Sequence, residues 1–132
     1  MDVDATVCLA GLARALVRTC VADAQAGVPV GTASSSLLGA SLWRAARYGL
    51  AEDLVSPSSA APLPAADVVR ELLARVGGAL DQAGDREEVT ALTEAILRDG
   101  NGARRQREAL AQRGDPADVV ALGRAGLLTP AD

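Results

Sequence analysis

The chain has 132 residues and a formal net charge of −4; 49% of its residues are hydrophobic, but only 2% are aromatic. All 13 basic residues are arginine, which excludes histidine general bases, histidine metal ligands and the lysine of a phosphate-binding P-loop. The acidic balance argues against a nonspecific nucleic-acid binder and against a protein that binds anionic membranes. We expect one domain whose core is built from Ala, Leu and Val.

The first predicted helix spans residues 4–26, because an apolar run stops just before Gly27. Apolar side chains cover most of the circumference of this helix, and only a narrow polar band remains. Such a helix is usually buried in a larger body or at an interface. We therefore expect its outward face, around Leu9, Leu16 and Cys20, to pack against another chain.

The two cysteines of the chain lie on this helix and indicate the cellular compartment of the protein. Cys8 and Cys20 would lie roughly 18 Å apart on one helix, too far for a disulfide, which needs Cα atoms within about 7 Å. Together with the absence of any metal-site spacing, this predicts two buried, reduced thiols in a cytoplasmic protein and no metal site. Arg14 and Arg18 interrupt the apolar run, so we expect neither a signal peptide nor a membrane span.

The second predicted helix holds the only Trp and the only Tyr of the chain, and Gly49 supplies its left-handed end. Arg44 and Arg47 project from one face, and each guanidinium can rest on the ring of Tyr48 or Trp43 four residues away. Two interpretations remain open. The arginines form a fork for a phosphate or a carboxylate, or the rings belong to the core and the arginines cover their edges.

Residues 51–64 contain three prolines and little periodicity, which predicts an ordered loop or a short extended connector. Beyond them the pattern is helical; Asp85 and Glu88 have capping-box spacing, and no strand-length alternation is visible. The sequence therefore predicts an all-α fold of five to six helices in a single domain over 1–132. The predicted helices cover about residues 4–26, 35–48, 65–83, 86–99, 103–113 and 116–125.

A second cationic segment follows the fourth helix. Gly100 and Gly102 allow a close approach of the backbone, and the helix that starts there presents Arg104 and Arg107 on one face. This pattern is typical of a phosphate clamp, but also of a solvated basic face, and Glu108 is placed to pair with it. The residues alone predict anion binding, and they supply no catalytic group.

The order of these segments resembles the carboxy-terminal third of the carboxylate–amine ligases related to bacterial type 2 glutamate–cysteine ligases. The resemblance covers nearly the whole chain, and its most specific part is the string W-R-A-A-R-Y-G-L at residues 43–50. The supporting segments are Leu54-Val55-x-Pro57 and Gly100-x-Gly102-Ala103-x-x-Gln106-Arg107.

The resemblance implies a fold like that of glutamine synthetase, in which an antiparallel sheet holds ATP and magnesium and helices close the site. Members activate a carboxylate, typically the γ-carboxylate of glutamate, as an acyl phosphate that an amine then attacks. By the same resemblance, the substrate- or phosphate-binding residues of this chain are Arg44, Arg47, Arg104 and Arg107.

The catalytic sheet and its metal-binding acids would precede residue 1. The resemblance therefore implies a helical subunit of a split ATP-dependent ligase, inactive alone, that joins a larger sheet-bearing chain holding ATP and magnesium. Ala51-Glu52-Asp53 and Ser56 depart from the family pattern, which favours a noncatalytic interaction or regulatory module instead. A third alternative is an independent helical protein that binds a small anion.

Overall fold

The computed structural model describes residues 3–128, which form six α-helices and one two-stranded antiparallel sheet. The predicted all-α class is confirmed, and the second, third and fourth helices have the predicted bounds. The elements are α1 (Val3–Gln25), α2 (Ser35–Tyr48), β1 (Asp53–Val55), β2 (Pro62–Pro64), α3 (Ala65–Ala83), α4 (Arg86–Asp99), α5 (Gly102–Arg113) and α6 (Pro116–Leu128). The predicted domain also included residues 1–2 and 129–132, which lie outside the described residues.

The segment predicted as a loop or short connector forms a β-hairpin. Leu54 of β1 pairs with Leu63 of β2, flanked by the pairs Asp53–Pro64 and Val55–Pro62. Each strand has only three residues, and the two prolines of β2 have no N–H to donate. A run this short carries no alternating apolar pattern, which is why the sequence shows no strand here.

The core lies where α1 packs against α3 and α4. It consists of small and branched aliphatic residues, as the composition predicts, and Val76 and Leu80 of α3 are fully buried. Gly11 of α1 lies so close to α4 that a Cβ atom there would be 2.7 Å from Cγ2 of Val89. The remaining core side chains are Ala15 and Ala79, with Leu12, Leu72 and Leu73 packed around them.

Polar contacts fix the same three helices in register. Arg14 of α1 pairs with Asp85 at the start of α4, and Arg75 of α3 pairs with Asp23 of α1. Asp85 makes no side-chain capping hydrogen bond, so the predicted capping role is wrong; its carboxylate serves the ion pair with Arg14 instead.

The α3–α4 contact includes a bidentate ion pair, in which Arg70 donates two hydrogen bonds of 2.9 Å to Glu94. These bonds from Arg70 lower the pKa of the Glu94 carboxyl from its ordinary value, while partial desolvation acts in the opposite direction. The pair therefore stabilises the ionised form of Glu94.

The structure corrects one expectation about α1, that both of its thiols are buried. Cys8 is buried and lies 3.3 Å from Oγ1 of Thr93, but Cys20 is exposed; both thiols are free. By length and composition α1 is also apolar enough to cross a membrane, with a mean hydropathy of 1.5 in a window that is 17% buried. The two arginines do not offset the surrounding apolar residues by this criterion, and the expectation of neither a signal peptide nor a membrane span stays a prediction. Core helices and signal sequences satisfy the same criterion.

Candidate anion-binding site

Helix α2 has one half-buried face, which Arg44 links to the hairpin. Leu37, Ser41, Arg44 and Tyr48, spaced four, three and four residues apart, are the half-buried positions of the helix. The helix begins at Ser34, whose hydroxyl accepts a hydrogen bond of 3.2 Å from the N–H of Leu37. This spacing places Tyr48 at the carboxyl end of that face.

The helix ends at Gly49 as the sequence predicts, although the ψ of −125° at this residue lies outside the expected left-handed helical conformation. Gly49 has a φ of 58°, and its N–H donates a 2.9 Å hydrogen bond to the carbonyl of Ala45. A positive φ of this size favours glycine, because a Cβ atom would be strained there. The turn directs Leu50 and Ala51 toward the start of α5.

Arg44 fastens α2 to β1. Its Nε donates a 2.7 Å hydrogen bond to the carbonyl of Asp53, and its guanidinium lies 3.8 Å from the carboxylate of Glu52. The guanidinium carbon also lies 5.6 Å from the centre of the Tyr48 ring, so the expected stacking is present. Arg44 therefore has partners within the chain and holds α2 in place.

The alternative that both rings are core residues is wrong for Trp43, which is 60% exposed. Its ring meets the Tyr48 ring edge to face, with centroids 5.9 Å apart and an interplanar angle of 87°. Arg47 is exposed on the same helix. Through this contact, the exposed ring of Trp43 touches the half-buried ring of Tyr48.

A small pocket forms where the carboxyl ends of α2 and α4 meet the amino terminus of α5, with a volume of about 60 Å³. It brings two of the four predicted arginines, Arg104 and Arg107, to the last residue of α2, Tyr48. Arg44 and Arg47 do not line it. The other lining residues are Leu50, Ala51, Leu97, Gly100 and Asn101.

The local geometry of this pocket depends on Gly100 and Asn101. Gly100 has a φ of 88°, which favours glycine, and a Cβ atom there would lie 2.6 Å from Nε of Arg104, so the arginine side chain would have to move. The side chain of Asn101 caps α5 by accepting a 3.0 Å hydrogen bond from the N–H of Arg104. Its Nδ2 would be 3.2 Å from a Cβ atom at Gly49, which shows how closely the two ends approach.

The two arginines of the pocket differ in their partners. Nε of Arg104 donates a 3.0 Å hydrogen bond to Glu108, so the expected pairing is present and reduces the free positive charge. Within residues 3–128, Arg107 makes no ion pair. Arg107 and the amino terminus of α5, beside Tyr48, therefore form the part of the pocket that favours an anion.

The size of the pocket limits what it can hold. Drug-sized ligands occupy pockets of roughly 300–1,000 Å³, so the pocket fits a single phosphoryl or carboxylate group and does not fit a nucleotide. Among the residues that the structure describes, no three His, Cys, Asp or Glu side chains lie together as metal ligands.

The sequence did not predict Tyr48 as a neighbour of Arg104 and Arg107, because α2 and α5 are distant in sequence, and it did not predict Leu97 or Asn101 as lining residues. The N-cap preference of Asn101 was the one available local signal. The predicted interface residues lie at the surface: Leu9 is 54% and Leu16 39% exposed, and Cys20 is exposed too. Their contact with another chain stays a prediction.

Comparison with known proteins gives one family. A family model described as "Glutamate-cysteine ligase family 2 (GCS2)" matches residues 1–121. A Streptomyces coelicolor protein named "Putative glutamate–cysteine ligase 2" is 48% identical over 121 residues, which cover 92% of this chain and 33% of that protein. A Frankia alni protein named "Putative glutamate–cysteine ligase 2-2" is 43% identical over 92% of the chain and 32% of its own length.

A more distant relative shows the same coverage. A Rhodopirellula baltica protein named "Putative glutamate–cysteine ligase 2" is 34% identical over 119 residues, 90% of this chain and 31% of that protein. The chain therefore spans about a third of the length of these relatives. No solved structure matches it at a comparable level of significance.

Proposed function

The chain belongs to the glutamate–cysteine ligase family 2, and we propose that it is the helical subunit of an ATP-dependent carboxylate–amine ligase. In this proposal it completes the active site of a larger, sheet-bearing chain and is inactive alone. The observation that carries the proposal is coverage: 92% of this chain matches the Streptomyces coelicolor relative, but only 33% of that relative is matched. The names of the relatives suggest glutamate as the carboxylate and cysteine as the amine.

The pocket contains cationic groups that suit the reaction of such a ligase. Formation of an amide bond from a carboxylate with ATP places negative charge at the reacting group, and fixed guanidinium groups stabilise such charge. Arg107, which makes no ion pair within residues 3–128, would bind the anionic group, while Arg104 and Tyr48 would orient it. Arg44 would position Tyr48, and the exposed Arg47 would reach the cleft once the larger chain is bound. That chain would make most of the contacts with ATP and magnesium.

The interface in this proposal is the outward face of α1. Leu9 and Leu16 offer apolar surface there beside the exposed Cys20, and such surface is unusual on a monomer. We place the complex in the cytoplasm, where free thiols such as that of Cys20 stay reduced.

Replacing Arg107 by Lys tests the site. Lysine keeps the charge but loses the planar fork, so we expect the turnover of the assembled ligase to fall by about 10²-fold. The control is Arg98→Lys, because Arg98 is exposed and pairs with its neighbour Asp99. Equal activity of the two variants, with equal thermal midpoints, would exclude a role of Arg107 in binding the anion.

A second candidate is a noncatalytic regulatory module derived from such a ligase. It is favoured by Arg44, which is already engaged by Asp53 and Glu52. A regulatory module would change the rate of a complete ligase without being required for turnover, whereas a subunit would be required.

A further inference from the structure

Helix α2 exposes large apolar residues on one of its faces. Arg44 is half-buried and hydrogen-bonded to β1, whereas three of the large apolar residues of the helix are exposed. Leu38 is 53%, Leu42 71% and Trp43 60% exposed. We call these three residues the outer face of α2. Leu42 and Trp43 follow Leu38 by four and five residues, so the three lie together on the side of the helix opposite Arg44.

Little of this chain covers α2. No residue of the helix is fully buried, and its main packing contacts are with β1. Its orientation is nevertheless constrained, because Arg44 donates a hydrogen bond to the carbonyl of Asp53 in β1. The outer face therefore already points away from the chain before any partner binds. An interface that is ordered in advance loses less conformational entropy on binding. Trp and Leu in one patch are typical of the desolvated centre of such interfaces.

We propose that the outer face of α2 docks onto the two-thirds of the ligase fold that this chain does not span, a second contact beside that of α1. This inference rests on the proposed function. The occupant follows from the comparisons: the Streptomyces coelicolor relative contains both the matched third and the remaining two-thirds in one protein. Parts of one fold cover each other's apolar faces, and residues 3–128 leave this face uncovered.

Docking at this face also acts on the pocket. The ring of Trp43 contacts the ring of Tyr48 at 5.9 Å, and Tyr48 lines the pocket with Arg104 and Arg107. Burial of Trp43 would therefore fix the position of Tyr48. Trp43 is a positioning residue in this arrangement.

Co-expression provides the test. This chain, carrying an affinity tag, is produced together with the two-thirds of the Streptomyces coelicolor relative that it does not cover. The wild-type chain should retain that partner in a stoichiometric complex. Leu42→Asp should reduce recovery of the partner at least 10-fold, and Leu42→Gln should reduce it in the same direction without adding charge. The control Val120→Asp alters a residue of similar exposure, 62%, on α6, and should retain the partner.

Each outcome decides between the claims. Loss of the complex with Leu16→Asp but not with Leu42→Asp would leave the proposed function standing and overturn the docking of α2. Failure of the wild-type chain to retain the partner would overturn both. A wild-type homodimer that Leu42→Asp dissociates would assign the face to a second copy instead. In the complex, hydrogen exchange of residues 35–48 should be slower than in the chain alone; unchanged exchange would contradict the docking.

Discussion

Replacement of Gly11 by Ala should test the close contact between α1 and α4. The new Cβ atom would lie 2.7 Å from Cγ2 of Val89, a side chain only 2% exposed that has no free space to enter. Overpacking of this kind costs about 1–3 kcal/mol, whereas Gly→Ala within a helix gains about 0.5–1 kcal/mol. We expect a net loss of about 1 kcal/mol in the free energy of unfolding.

The chain offers a matched control in Gly78, which lies within α3 and has no atom within 4 Å of its Cβ position. Gly78→Ala should gain only the stability that alanine adds within a helix. The free energies of unfolding of the two variants should therefore differ by the cost of overpacking, about 1–3 kcal/mol. Urea unfolding followed by far-UV circular dichroism measures both. In a Val89→Ala background, Gly11→Ala should become stabilising, and the double-mutant cycle isolates the contact. Equal stability of the two single variants would refute the packing of α1 on α4.

Two further predictions concern the helical body. Leu80→Ala should cost about 2–5 kcal/mol in urea unfolding because Leu80 is fully buried, whereas Leu42→Ala, at a residue 71% exposed, should leave the isolated chain nearly as stable as wild type; equal losses would contradict the assigned core. The Glu94 carboxyl, whose pKa Arg70 lowers, stabilises the fold above its unfolded pKa, and this contribution is lost as the pH falls through the folded pKa. The stability difference between wild type and Glu94→Gln should therefore be present at neutral pH and disappear under acid; a difference that is constant with pH would show that the pair with Arg70 does not form.

Most of the fold could be predicted from the sequence because its signals are local. Ser34 begins α2 and Gly49 ends it by the side-chain and backbone geometry that these residue types favour. Gly84 ends α3 in the left-handed conformation for the same reason. Such signals act within a few residues, so a single sequence displays them.

What the sequence did not predict depends on contacts between distant segments. Asp85 has the local pattern of a cap, but its carboxylate pairs with Arg14, 71 residues away. Arg44 and Arg47 look equivalent in the sequence, yet the hairpin engages Arg44 and leaves Arg47 exposed. The pocket likewise depends on the approach of Gly49 to Asn101, for which no local pattern exists.

The central claim is that this chain supplies the helical part of a ligase active site to a larger chain. The most direct measurement is ATP-dependent coupling of glutamate to cysteine, with magnesium present, by three preparations: this chain alone, the uncovered two-thirds of the Streptomyces coelicolor relative alone, and the two produced together. The account predicts amide formation by the pair and none by this chain alone. Turnover by the purified single chain, or equal turnover by the larger part without it, would contradict the account.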